Sequence, residues 1–410
     1  MGATLFFVAG EHSGDLLASQ LARALLTQDP SLRLLGVGGP RMARAGVEIL
    51  AETTEWGVVG YLEAYVRIPI FVLRLLRVLS LIDAARPDLL VLVDFPGFNL
   101  QVASRLSGKV PIVYYVPPMV YGRRGGRAGK IARLGMKLLA TLPFEAETYL
   151  RAGANVVFTG HPARDLARPS ESPEALRASL GASPATPVIG LLPGSRRQEV
   201  EGIFPLMLGA AKRIQQALGD ARFVTSPLPS HRAFIEKALA SAFSRHAPHR
   251  GLSIPSPSME EGGGDFPLTI WEARPYDVMA ASDLLLVTSG TAALEAACLG
   301  TPMVVVYRLS WISWIIANRE VTLKYASLPN LLLGREVVPE LLQDRLTAES
   351  LAAQAITLLR DEEKRRAMRA ELLQVVPMLG PEGAFARAAK EVLEVLRRGG
   401  GRSEAAPARS

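Results

Sequence analysis

Cysteine is almost missing from this 410-residue chain, where Cys298 stands alone. A single thiol excludes intrachain disulfides and a cysteine-rich zinc site, and its apolar, helical setting reads as core packing. Histidine is also scarce. Five are scattered without an HExxH or paired spacing, so no protein-built transition-metal site is expected. No uncharged apolar run reaches the roughly 18 residues of a membrane span. The opening MGATLFFVAGEHSGD lacks the basic region and the run length of a signal peptide. Neither GxGxxG nor GxxxxGK[ST] occurs, which argues against the usual dinucleotide fold and the P-loop. With no zinc finger and no aromatic-interleaved basic patch, nucleic acid is not an expected partner.

What is present is ordinary globular composition, 49% hydrophobic and 21% charged, in a chain long enough for two domains. The net charge of +7 suits an acidic partner without choosing among nucleotide, phospholipid and nucleic acid. Short apolar runs alternate with helical patterns: TLFFVAG, LRLLGVGG, DLLVLVDFPG, VPIVYYV, LLATLPF and ANVVFTGHP, then VIGLLPGS, ARFVTSP, LTIWEA, DLLLVTSG and PMVVVYR. Such alternation predicts βαβ units and parallel sheets covered on both faces. A Pro/Ser/Ala-rich stretch over 168–187 divides the two series and reads as a linker with a short helix. The expected architecture is α/β: two doubly wound, Rossmann-like domains (1–167 and 188–365) facing a cleft. Helices over 366–398, placed to cross back to the first domain, precede a frayed tail at 399–410. In such sheets ligands bind beyond the carboxyl ends of strands.

Candidate residues follow from that rule. In the turn Gly10-Glu11-His12-Ser13-Gly14-Asp15 small residues allow close approach of a substrate, while Ser13 or Asp15 equally serves to cap the helix. Asp94 closes an apolar strand, where a carboxylate must be solvated or paired; a general base and a turn-bonding acid both fit. Asn99 lies in the turn that follows, and His161, in TGHP, stands after another strand. In LLPGSRRQEVE, Ser195 belongs to a tight turn, and Arg196 has a fork suited to bidentate phosphate binding. Ser289-Gly290-Thr291 makes a second anion-binding turn at a helix start. Glu295, one turn further on the same face, is a carboxylate beside a phosphate-type site. A nucleoside diphosphate explains both: the turns take the phosphates, and Glu295 accepts from the ribose diol. Residues 58–82 mix a wide apolar face with Arg67, Arg74 and Arg77. They read either as an amphipathic segment for an anionic membrane surface or as a buried helix with snorkelling arginines.

These segments also resemble a known family. AGEHSGD, GVGGPRM, DFPGFNL, LPFE, GHP, LPGSRRQEVE, SGTAALEA, TPMVVVYR and SLPNLLLGREVVPELLQ occur in the order seen in lipid-A-disaccharide synthases. The resemblance implies a metal- and cofactor-independent, inverting GT-B glycosyltransferase. Such enzymes join UDP-2,3-diacylglucosamine to 2,3-diacylglucosamine 1-phosphate in a β-1,6 linkage, releasing UDP. It implies Asp94 as base and Arg196 as the cleft arginine. Ser289, Gly290, Thr291, Glu295 and Asn330 fall in the UDP motifs, Arg308 ends TPMVVVYR, and Glu11, Ser13, Gly14, Asp15, Asn99, His161 and Ser195 are further substrate contacts. It also implies a cytoplasmic protein held peripherally at the inner membrane face through 58–82, and allows a homodimer. The chain departs from the family's pattern in its acceptor half, at Gly97 and over 117–123, so other readings stay open. These are transfer to a different lipid acceptor, a UDP-sugar 2-epimerase, and a non-catalytic nucleotide or lipid sensor.

Overall fold

Thirteen short strands build two separate parallel sheets in the computed structural model, which describes residues 2–56, 68–120, 125–243, 266–272, 274–308 and 324–400. The first sheet contains β1 (Thr4–Ala9), β2 (Arg33–Gly38), β3 (Glu48–Glu52), β4 (Leu89–Val93), β5 (Ile112–Tyr115), β6 (Lys137–Ala140) and β7 (Asn155–Phe158) in the order β3-β2-β1-β4-β5-β6-β7. The second contains β8 (Val188–Leu192), β9 (Arg222–Thr225), β10 (Leu268–Ile270), β11 (Leu284–Thr288), β12 (Met303–Tyr307) and β13 (Glu340–Leu342) in the order β10-β9-β8-β11-β12-β13. All eleven pairings are parallel. Each order reverses direction once, between β1 and β4 and between β8 and β11.

The apolar runs explain the strands. β4, β8 and β11 are buried at every position, as a sheet covered on both faces requires. Helical spacing explains the cover. In the helix Glu11–Gln28, Ala18, Leu21, Ala22 and Leu25 fall on one face and are all buried. Truncating one of these leucines to alanine would cost about 2–5 kcal/mol.

The chain divides into two compact units. One comprises Met1–Asp165 with the segment from Leu379, and the other Leu166–Leu309 with Lys324–Met378. The stretch at 168–187 carries the short helix expected there, Pro173–Ser179, whose Leu176 and Leu180 join the second unit's core. The return to the first unit comes at Leu379 rather than near 366, because Met368 and Leu372 are buried in the second core. The returning helix Ala384–Gly400 packs on Glu11–Gln28 and buries Ala388, Ala389 and Val392. Asp165 caps its start by accepting from the Gly383 and Phe385 amides at 2.7 and 3.3 Å. Cys298 is half-buried at a helix end rather than in the core. The loop expected at 255–265 and residues 58–67 of the amphipathic segment lie outside the described residues, as do residues 121–124 and the tail beyond 400.

Candidate active site

In each sheet, the main sequence candidates gather at the point where the strand order reverses; His161, Arg308 and Asn330 lie elsewhere. In the first unit, β1 runs into Gly10-Glu11 and β4 into Asp94-Phe95, side by side. Ser13 Oγ donates to Asp94 Oδ2 across this junction at 3.3 Å. The backbone here is strained: Glu11, Asp94, Phe95 and, at the end of β5, Val116 all have left-handed φ, between 49° and 60°. Non-glycine residues seldom accept that region, and such outliers gather at functional sites. Neighbours hold the turn. Asn99 Nδ2 donates to the Asp94 carbonyl at 2.7 Å, and the Tyr114 hydroxyl does so at 2.9 Å. Phe95 stacks on Phe98 at 5.1 Å, and Trp56 and Phe71 meet Phe98 edge-on. Gly10 must lack a side chain, since a Cβ there would lie 2.5 Å from the Phe95 ring. The result is a carboxylate whose backbone turn is held in place by these neighbours.

Other first-unit candidates have structural work. Asp15 is buried and accepts from the Gly39, Arg41 and Met42 amides, so it caps the helix Pro40–Arg44 rather than its own. Gly14 leaves ordinary van der Waals room for a Cβ. His161 lies after the edge strand β7, away from the reversal. Its Nδ1 accepts from the Ala163 amide at 3.1 Å, its own amide donates to the Leu379 carbonyl, and burial pushes its pKa down to about 4. It is therefore a neutral imidazole with its proton on Nε2.

In the second unit, Pro193-Gly194-Ser195-Arg196 follows β8 and Ser289-Gly290-Thr291 follows β11, again adjacent. Gly194 has φ 110°, and Gly290 has φ 154° with ψ −155°, a combination open essentially to glycine alone. Among the described residues nothing lies within 4 Å of a Cβ built on Gly290, so space opens beside that turn. Arg196 is half-exposed. Its Nη1 donates to Glu199 Oε1 at 3.2 Å, while its amide donates to Oε2 of the same carboxylate. His231 Nε2 bonds the Ser195 carbonyl at 2.9 Å, and Ser289 Oγ donates to the Ala326 carbonyl at 2.8 Å. Glu295 is half-buried, and desolvation of its carboxyl raises its pKa to about 7, partly offset by the Tyr276 hydroxyl bonded to it. Arg308 is exposed at the end of β12. Asn330 is fully buried: it accepts from the Val337 and Val338 amides and donates to the Val338 carbonyl and to Glu340, so it shapes the loop before β13.

Sequence reading missed Tyr114, Tyr276, Tyr307 and Glu340. Tyr307 lies close enough to Glu199 and Arg196 for both charges to act on its hydroxyl, and burial raises its pKa. Glu340 collects the Ala326 and Ser327 amides and Asn330 Nδ2. Tyr114 and Tyr307 sat inside apolar strands, where a tyrosine reads as packing.

The fold is shared along the whole chain with the calicheamicin glycosyltransferase CalG4, at TM-score 0.56 and 16% identity, covering 97% of this chain and 99% of that one. It is shared also with S. aureus MnaA in a co-structure with UDP, at TM-score 0.64 and 14% identity over 97% of each. Two parallel α/β domains, with candidate loops at both strand-order reversals, define a GT-B-type protein. The sequence goes further. A lipid-A-disaccharide synthetase family description matches residues 5–251 and 259–384. The lipid-A-disaccharide synthase of Anaeromyxobacter dehalogenans strain 2CP-C is 40% identical over 399 residues, 96% of this chain and 97% of that one. The chain belongs to the lipid-A-disaccharide synthase family, and with it to the UDP-sugar glycosyltransferases.

Proposed function

We propose that the chain transfers 2,3-diacylglucosamine from UDP to the 6-hydroxyl of 2,3-diacylglucosamine 1-phosphate, with inversion, giving a β-1,6 disaccharide and UDP. The observation that carries the site assignment is the strained Asp94 turn at the reversal of the first sheet, with two anion-type turns at the reversal of the second. Asp94 takes the proton of the acceptor hydroxyl as it attacks the anomeric carbon. The departing diphosphate gathers negative charge. The amides of Ser289-Gly290-Thr291 and the Arg196 fork stabilise it, exchanging the Glu199 contact for phosphate oxygens. Those donors supply the charge stabilisation, so the reaction proceeds without a metal or other cofactor. Glu295 holds the ribose.

The substrates carry acyl chains, and the helix Ile68–Ala85 offers them a surface. Its inner face buries Leu75, Val78 and Ile82 and brings Phe71 to the Asp94 turn through Phe98. On its outer face Ile70, Leu73 and Leu76 are 48, 67 and 56% exposed, beside exposed Arg77. Among the described residues no helix is long and apolar enough to cross a membrane. An amphipathic helix with exposed leucines and arginine suits an anionic bilayer surface. We read the chain as a peripheral protein that meets its substrates there.

Incubation with UDP-diacylglucosamine and candidate acceptors, with products identified by mass spectrometry, tests the reading. A disaccharide and free UDP formed only with acceptor support it. UDP release without acceptor points to epimerisation or hydrolysis, and nucleotide binding without turnover of any acceptor points to a sensor.

A further inference from the structure

Glu295 is gripped by a side chain that the proposed reaction does not use. Tyr276, on the helix Pro275–Ala281, donates its hydroxyl to Glu295 Oε1 at 3.1 Å. The base it reaches from is fixed. Asp277, the next residue, is buried and accepts from the Ser170 amide and hydroxyl at 2.5 and 2.7 Å and from the Glu171 amide at 3.3 Å. Arg274, at the start of the same helix, pairs with Glu171, and the Tyr276 ring packs against the second unit's core. A carboxylate offers two oxygens and about four lone-pair directions. Occupying one from a rigid donor sets the rotation of the carboxyl plane, and leaves Oε2 and the far side of Oε1 for two more donors. Two neighbouring hydroxyls on one sugar ring are such a pair.

We propose that Tyr276 is a positioning residue that orients the Glu295 carboxylate to accept both ribose hydroxyls of a nucleoside diphosphate. The proposal deepens, and rests on, the nucleotide reading of the Ser289–Glu295 turn. A hydroxyl donated to a half-buried carboxylate also favours its ionised form, the form with full acceptor capacity.

The test is calorimetric titration of the full chain with UDP and with 2′,3′-dideoxy-UDP, for wild type, Tyr276→Phe, Glu295→Gln and the double variant. Wild type should prefer UDP by about tenfold or more. Tyr276→Phe should weaken UDP binding about fivefold and leave dideoxy-UDP unchanged. In the Glu295→Gln background the same change should add little. Equal weakening of both ligands by Tyr276→Phe, or undiminished preference for UDP, overturns the positioning role. If Glu295→Gln itself leaves the preference intact, the ribose reading fails first and the proposal falls with it. That pattern is distinct from a failure at Tyr276 alone.

Discussion

Asp94 owes its place to a backbone that most residues avoid. Its left-handed φ, continued at Phe95, turns the chain at the end of a fully buried strand and leaves the carboxylate beside Ser13. Replacing it by alanine removes the proposed base and leaves the sequence of the second unit's turns unaltered. Asp94→Ala should therefore lower transfer by roughly 10²–10⁴-fold with UDP affinity nearly unchanged, read by product formation beside UDP titration. Near-normal transfer in a folded variant would sink the assignment. Glu145 is the other carboxyl of consequence in this unit. It is buried in the first turn of the helix Pro143–Arg151, and desolvation raises its pKa from the ordinary 4.5 to about 8. Below pH 4.5 it is protonated folded or unfolded, and its burial carries no ionisation cost. Between 4.5 and 8 the unfolded chain releases the proton and the folded chain keeps it, so stability falls as pH rises through that window. Glu145→Gln should thus be nearly neutral at pH 4.5. By pH 8 it should stabilise the first unit by an amount on the order of a few kcal/mol, seen as a growing gap in denaturant midpoint. A pH-independent gap would refute it. Asp94 was legible because an acid closing an apolar run is conspicuous. The Tyr276–Glu295 pair was only half legible: the carboxylate stood out, while its donor lies nineteen positions away on another helix.

At the scale of elements, strands were the most readable feature, since runs such as LLVLV admit no other placement in a parallel sheet. Caps were less so. Asp15 looked like a cap for its own helix and serves the next one, a contact set by the pairing of β1 with β2 that no local pattern reveals. The helix Ile68–Ala85 shows the same limit. Its sequence offered a buried and a membrane-facing reading, and the fold buries Leu75 and Val78 while Leu73 and Leu76 remain exposed. Since those two leucines are mostly exposed, Leu73→Ser and Leu76→Ser should leave thermal stability and UDP affinity within error. Each should weaken co-sedimentation with anionic vesicles by about tenfold, for roughly 1–2 kcal/mol of lost apolar burial. Vesicle binding that survives both changes would move the membrane surface elsewhere. Gly97, at the start of the helix Pro96–Leu106, has nothing among the described residues within 4 Å of a built Cβ. Gly97→Asp should fold normally and gain a few tenths of a kcal/mol from the helix N-terminus. A change in acceptor preference with unchanged UDP affinity would mark this position as part of acceptor choice.

The molecule is threaded so that its last described helix belongs to its first unit. Sequence placed helices at the end and allowed them to cross back, but the crossing point depends on which core each helix buries, and that is a tertiary fact. Leu372 and Val375 are fully buried before the crossing, Leu379 and Ala384 after it. From Leu379 onward the chain supplies a carbonyl to the His161 amide, the capped helix start at Asp165, and an ion pair between Glu391 and Lys137 at 2.9 Å. Arg387 donates to the Thr159 carbonyl at 2.9 Å, tying the same helix to the end of β7. Ending the chain at Met378 removes all of these and uncovers apolar residues of Glu11–Gln28, while every element of the second unit remains. The truncated chain should lose hydrogen-exchange protection across β1 and β4–β7 and lose transfer. UDP should still protect the amides of the Ser195 and Ser289 turns, because the residues proposed to bind it come from the other unit. Retained protection in the first sheet would show that the returning helix is dispensable to it. Loss of UDP binding would show instead that the second unit's turns depend on the segment from Leu379 onward.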